Sequence, residues 1–128
     1  MKYLLDTHTF FWAATSVGRL PKGVQDLVAD EVNVVGVSIA TFWEMAIKAS
    51  LGKWDLPCSL ADFQKFASTE DIKIVPISVE ITEIVRALPL LHGDPFDRVI
   101  VATAIEETWT VLSIDEKMDQ YSGLRRIW

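Results

Sequence analysis

Val32-Asn33-Val34-Val35-Gly36-Val37-Ser38-Ile39-Ala40-Thr41-Phe42-Trp43-Glu44-Met45-Ala46-Ile47-Lys48 changes character at Ser38. Before it stands a β-branched apolar run with almost no polar alternation. After it, apolar residues recur at helical spacing up to a stop at Gly52. A strand apolar on both faces belongs inside a parallel sheet covered by helices, not in an antiparallel sheet with one wet face. The same grammar recurs along the chain. Short apolar runs at Tyr3 to Leu5, Ile72 to Ile77, Thr110 to Ile114 and, more weakly, Arg125 to Trp128 complete a set of five strands. Segments with helical spacing lie between them, at Val17 to Asp30, Ile39 to Leu51, Leu60 to Ser68, Val79 to Leu88 and Phe96 to Thr108. Strands alternating with helices specify an α/β protein, a three-layer α/β/α sandwich around a mainly parallel five-stranded sheet.

The composition bounds what such a domain can do. The 128 residues, half of them apolar, suit one packing unit with a core that needs no staples. No repeat, linker or low-complexity tract divides them, so residues 1–128 are expected to form a single domain. Twelve basic against eighteen acidic residues give a net charge of −6, which disfavours coating of duplex nucleic acid or a polybasic membrane anchor. Any nucleic-acid contact has to be local. Cys58 is the single cysteine, so an intrachain disulfide and a cysteine zinc site are both out, and a reducing compartment is indicated. Asp6 interrupts the N-terminus before a signal-type apolar region can form, and the longest apolar stretch, around Val99 to Ile105, is too short for a bilayer. A soluble cytoplasmic protein is expected.

Open parallel sheets carry their sites at the carboxyl ends of the strands, where strand order reverses. Asp6 ends the first expected strand and Asp115 follows the fourth. Glu44 lies in the helix after the second, on a face with Ala40, Thr41, Ile47 and Lys48, at the border of its solvated side. Asp97 opens a helix whose apolar residues run almost all the way round. Each acid has an ordinary role when taken alone. Asp6 and Asp115 can cap the helices that follow, Glu44 can pair with Lys48 at i, i+4, and Asp97 suits a helix first turn. Asp94 before Pro95 is an N-cap, not a chemical group. Topology nevertheless brings Asp6 and Asp115 to adjacent strand ends. Ionised carboxylates about 5 Å apart repel by roughly 3 kcal/mol at an effective dielectric near 20. Oxygen donors without cysteine or clustered histidine would answer that repulsion with a hard divalent cation, Mg²⁺ or Mn²⁺.

Four motifs carry a resemblance: Leu4-Leu5-Asp6-Thr7-His8-Thr9-Phe10-Phe11-Trp12, Val37-Ser38 running to Trp43-Glu44 and Lys48, Leu91-His92-Gly93-Asp94-Pro95-Phe96-Asp97-Arg98, and Leu112-Ser113-Ile114-Asp115. In this order and at these separations the chain resembles the PIN-domain ribonucleases, and among them the VapC-type toxins of type II toxin–antitoxin pairs. The resemblance implies Asp6, Glu44, Asp97 and Asp115 as the acidic site, with Asp6, Asp97 and Asp115 holding metal. It implies hydrolysis of a structured RNA, a transfer or ribosomal RNA, to 5′-phosphate and 3′-hydroxyl ends. A cognate antitoxin and a homodimer are implied as partners. Thr7, Ser38 and Ser113 carry hydroxyls near strand ends that could orient waters or cap helices. Lys48, Lys53, Arg98 and Lys117 follow the acidic motifs and suit phosphate contacts or pairing with the acids. Trp12, Trp43 and Trp54 suit core packing, and Phe10, Phe11 and Trp12 a partner groove.

Other readings stand beside this one. His8 and His92 could form a metal-independent acid–base pair giving a 2′,3′-cyclic phosphate, which leaves the carboxylates unexplained. A haloacid-dehalogenase-like phosphatase expects an aspartate where His8 stands. A PIN-like module that binds RNA or protein without cutting is the non-enzymatic alternative.

Overall fold

The computed structural model describes residues 1–128. Five strands, β1 (Lys2–Leu5), β2 (Val34–Ser38), β3 (Ile72–Val75), β4 (Thr110–Leu112) and β5 (Arg125–Ile127), form one sheet in the order β3-β2-β1-β4-β5, and every neighbouring pair is parallel. Six helices accompany them: α1 (Thr7–Thr15), α2 (Lys22–Ala29), α3 (Ile39–Ser50), α4 (Leu60–Thr69), α5 (Val79–Ala87) and α6 (Pro95–Glu107). The expected α/β architecture with a parallel five-stranded sheet is present. No helix is long and apolar enough to cross a membrane.

The chain builds outward from β1 through β2 to β3, then crosses back over β1 to lay down β4 and β5 on the other side. Strand order therefore reverses at β1, and the crevice beside its carboxyl end is the expected ligand position. Alternation along the strands divides the core in two. Tyr3, Leu5, Val35 and Val37 join Phe10, Met45 and Phe63 in one cluster. Leu4 and Val111 join Ile100, Val101 and Trp109 in the other. Leu4, Leu5, Val37, Val111 and Leu112 are wholly buried, as strands covered on both faces require.

Three differences from the sequence reading have local causes. Residues Thr7–Thr15 form a helix although Thr-His-Thr-Phe-Phe-Trp has no strong helix former. The Asp6 side chain caps it and the buried Phe10 anchors it, so packing overrides propensity; Phe10 also lies in the core and lines no partner groove. The expected helix over Val17 to Asp30 is divided. A 3-10 turn at Val17–Arg19 ends at Leu20, which Pro21 holds extended, and α2 begins only at Lys22. The third strand stops at Val75, before Pro76, whose missing N–H cannot continue a ladder.

Gly36 sits on β2 under the Trp109 indole. A Cβ placed there would stand 2.9 Å from Trp109 Cη2 and 3.1 Å from Val75 Cγ2. The absence of a side chain lets the indole close that face of the core. Gly36→Val is expected to destabilise the protein by about 1–3 kcal/mol, as overpacking does, measured as a lower urea midpoint at unchanged slope; an unaltered midpoint would show that the indole moves aside freely.

Candidate active site

The carboxyl ends of β1 and β4 meet through one aspartate. Asp6, 5% exposed, accepts from the Thr9 backbone N–H at 2.9 Å, and its other oxygen accepts a short hydrogen bond from the Ser113 hydroxyl. Ser113 Oγ in turn accepts from the Asp115 backbone N–H at 3.0 Å. The Thr9 hydroxyl donates to the Leu112 carbonyl at 2.9 Å, fastening the start of α1 to the end of β4. Burial pushes the Asp6 carboxyl above its ordinary pKa, against the hydrogen bonds from Ser113 and Thr9 and the nearby His8. One aspartate thus caps a helix and still presents a carboxylate at the switch point.

Glu44 enters from α3. It is 2% exposed, deeper than the border position its helical face suggested. The Thr7 hydroxyl donates to Oε1 at 2.6 Å, and Lys48 forms a short ion pair with Oε2. Thr41, fully buried, lies 3.1 Å from Thr7 Oγ1 and shares that hydrogen-bond chain. The i, i+4 pairing read from the sequence exists, but a buried glutamate makes it more than a surface pair. Ser38, expected either near the site or as a cap, accepts from the Ala40 N–H and starts α3.

Asp97 comes from the first turn of α6, whose N-cap is Asp94 and whose first residue is Pro95, as expected. Its carboxyl is pushed up to about 7, first by burial and then by the negative charges of Asp94, Glu44 and Asp6, with His92 acting in the opposite direction. Carboxylates from β1, α3 and α6 therefore feel one another. Asp115 joins through His92, whose Nε2 lies 2.7 Å from Asp115 Oδ2 and 3.2 Å from Asp97 Oδ2. One atom each from His92, Asp97 and Asp115 falls within a span of 4.8 Å, which brings the two carboxylates close to each other around the imidazole.

Of the four acids predicted from the sequence, Asp97 and Asp115 share one close group with His92, whereas Asp6 and Glu44 are buried on separate hydrogen-bond partners and act on Asp97 through their charge. Thr7 and Ser113 are among those partners, whereas Ser38 serves its helix. Of the four basic residues, Lys48 is bound to Glu44, and the Arg98 guanidinium donates to the carbonyls of Pro89, Val85 and Leu88. Lys53 and Lys117 are exposed. His8 stacks on Trp54 while His92 lies between two acids, so the histidines have separate partners. Thr41, Thr9 and the bridging role of His92 had no sequence signal, because each depends on a contact between distant segments. None of the cavities of about 260 to 370 Å³ is lined by these acids. The cluster lies beside the carboxyl ends of β1 and β4, with Asp97 and Asp115 its more exposed members. Its carboxylate oxygens, crowded and without any thiolate, match the donor set of a hard divalent cation.

The raised carboxyls have a consequence for metal-free protein. Folded Asp97 keeps its proton to about pH 7, whereas its ordinary pKa is 3.8. The stability that this proton contributes is complete below that lower value and is lost as pH rises through about 7. Asp6 acts in the same direction. In EDTA, Tm should fall from about pH 5 to about pH 8, and Asp97→Asn should flatten much of that slope. A Tm that rises over this interval by differential scanning fluorimetry would contradict the crowding of these groups.

Comparison with known proteins agrees with this geometry. Residues 3–124 match the family model "PIN domain". A protein named Ribonuclease VapC22, from Mycobacterium tuberculosis, is 31% identical over 128 residues, covering 97% of this chain and 95% of the relative. Among solved structures, the fold is similar to that in VapBC2 from Rickettsia felis bound to a DNA fragment from its promoter, with a TM-score of 0.74, 18% identity, and 99% and 98% of the two chains covered. It is also similar to DNA-bound VapBC from Salmonella typhimurium, with a TM-score of 0.63, 18% identity, and 99% and 97% covered. At those identities the solved structures establish the fold alone. The family match and the end-to-end relative, set beside acids gathered at the switch point of a parallel sheet, make this chain a member of the PIN domain family, of the VapC type.

Proposed function

We propose that this protein is a divalent-metal-dependent endoribonuclease, the toxin of a toxin–antitoxin pair, acting in the cytoplasm. The observation that carries the reading is geometric: His92 Nε2 lies 3.2 Å from Asp97 and 2.7 Å from Asp115, and Ser113 joins the Asp115 backbone to the buried Asp6 carboxylate. Like charges gathered in this way are disfavoured until a cation joins them. The relative named as a ribonuclease and the VapBC complexes of similar fold support the toxin assignment and a cognate antitoxin.

Asp6, Asp97 and Asp115 would hold Mg²⁺ or Mn²⁺, which supplies charge stabilisation on the phosphoryl oxygens and a more acidic water. The remaining steps fall to the protein. Glu44, oriented by Thr7 and Lys48, aligns the attacking water and receives its proton. The new bond forms between water oxygen and phosphorus, the bond from phosphorus to the 3′-oxygen breaks, and that oxygen takes up a proton. A 5′-phosphate and a 3′-hydroxyl result. Lys53 and Lys117, free at the surface, contact RNA phosphates near the acids. We assign a structured RNA, a transfer or ribosomal RNA, as substrate and a homodimer as the working form on family likeness.

Purified protein is expected to cut RNA with Mg²⁺ or Mn²⁺ and to stop in EDTA. Asp6→Asn and Asp97→Asn should each lower the rate about 100-fold or more while circular dichroism stays native. Sequencing of the cleaved ends reads the chemistry: cyclic phosphates made in chelator would transfer the reaction to the histidines. Induced expression should arrest growth, relieved by the neighbouring reading frame. Folded protein that binds RNA, leaves it whole with either ion and does not slow growth would be the non-catalytic module instead.

A further inference from the structure

His92 is the one imidazole inside the acidic cluster, and its side chain is only 10% exposed. Its two nitrogens have different partners. Nδ1 lies 3.2 Å from the Asp94 backbone nitrogen, which can only donate, so Nδ1 offers its lone pair and carries no proton. The proton is therefore on Nε2, which faces Asp115 Oδ2 at 2.7 Å and Asp97 Oδ2 at 3.2 Å. A protonated nitrogen has no lone pair to give a metal ion.

The surrounding backbone holds this arrangement in place. Asp94 caps α6 through the Phe96 and Asp97 N–H groups, so the residue that sets the His92 tautomer also starts the helix that carries Asp97. The Arg98 guanidinium ties down the connection from α5 through the carbonyls of Val85, Leu88 and Pro89. Asp115 Oδ1 caps the 3-10 helix Glu116–Gln120 by accepting from the Lys117 N–H at 3.0 Å, which leaves Oδ2 for His92; its side chain, 29% exposed, is the freest of the three groups around the imidazole.

We propose that His92 is a positioning residue: an imidazole whose Nε2–H, oriented by the hydrogen bond that Nδ1 accepts from the Asp94 backbone, holds the Asp115 and Asp97 carboxylates side by side as oxygen ligands without itself binding the ion. The inference rests on the proposed metal site and adds a residue to it. Donors beside ligating carboxylates fix their rotamers, and their loss typically costs ten- to a hundredfold in metal affinity. A direct nitrogen ligand would instead give a mixed donor set and move preference from Mg²⁺ toward softer ions.

The test measures Mn²⁺ binding to the full-length protein by isothermal titration calorimetry and reads the imidazole nitrogens by ¹⁵N NMR with and without Mg²⁺. His92→Phe should bind Mn²⁺ about tenfold more weakly, and His92→Gln, which keeps an N–H at the Nε2 position, should recover most of that loss. Adding His92→Phe to Asp115→Asn should weaken binding by clearly less than it does in the wild type, because the part of its effect that runs through Asp115 is already lost. In wild-type protein the Nε2 proton should persist at saturating Mg²⁺, a result that stands even if the phenylalanine variant does not fold. Loss of that proton on ion binding, undiminished affinity in His92→Phe, or additive effects in the double variant would each overturn the role. Wild-type protein that binds no Mn²⁺ would overturn the metal site itself, whereas normal wild-type binding with an indifferent phenylalanine variant removes only the part given to His92.

Discussion

Mutual repulsion of buried carboxylates at the end of β1 is the constraint on which the rest of the site depends. Asp6 and Glu44 are almost wholly buried, and Asp97 senses both. In the absence of compensation, each close ionised pair costs on the order of 3 kcal/mol at an effective dielectric near 20. The fold answers in part with hydrogen-bond donors: Ser113 and Thr9 on Asp6, Thr7 and Lys48 on Glu44, and His92 on Asp115 and Asp97. These donors reduce the repulsion but leave the Asp97 carboxyl raised to about 7. The burial and crowding that remain are what the proposed doubly charged ion would relieve.

The donors also transmit order. Ser113 donates to the Asp6 carboxylate and accepts from the Asp115 backbone N–H, so one hydroxyl ties the side chain of one acid to the backbone of another. Arg126, on β5, donates to the Ser113 carbonyl at 2.8 Å and is paired with Asp119, which extends the support to the last strand. Thr41 and Thr7 link the helices after β1 and β2 in the same way. Such chains are effective because they are buried and satisfied, and they place ligand oxygens by rigid elements instead of loops. The aromatic residues contribute differently. Phe10 and Phe63 pack one face of the sheet and Trp109 closes the other, while Trp43, half exposed, packs edge-on against Phe96 beside the acidic helix.

Much of this was legible before any coordinates. The apolar runs at Tyr3 to Leu5 and Val34 to Val37 require burial on two faces, which only a helix-covered parallel sheet supplies, and Asp94-Pro95 marks the start of α6 by local chemistry. All three are short-range properties. The helix at Thr7–Thr15 escaped notice for the opposite reason, since its residues favour helix weakly and only the packing of Phe10 and the cap at Asp6 decide it. Pro21 and Pro76 then moved element boundaries by a few residues through the lost N–H and the extended residue before each ring.

The amino-acid sequence by itself determined the α/β architecture, the impossibility of an intrachain disulfide and the placing of acids at strand ends and helix starts, because hydrophobic periodicity, turn residues and side-chain type act over neighbouring positions. Which hydroxyls compensate those acids, and that His92 lies between Asp97 and Asp115, were decided only by tertiary structure. His92 and Asp115, Thr7 and Glu44, and Ser113 and Asp6 stand 23, 37 and 107 positions apart, and a hydrogen bond across such a separation exists only when the sheet order has brought its two ends together.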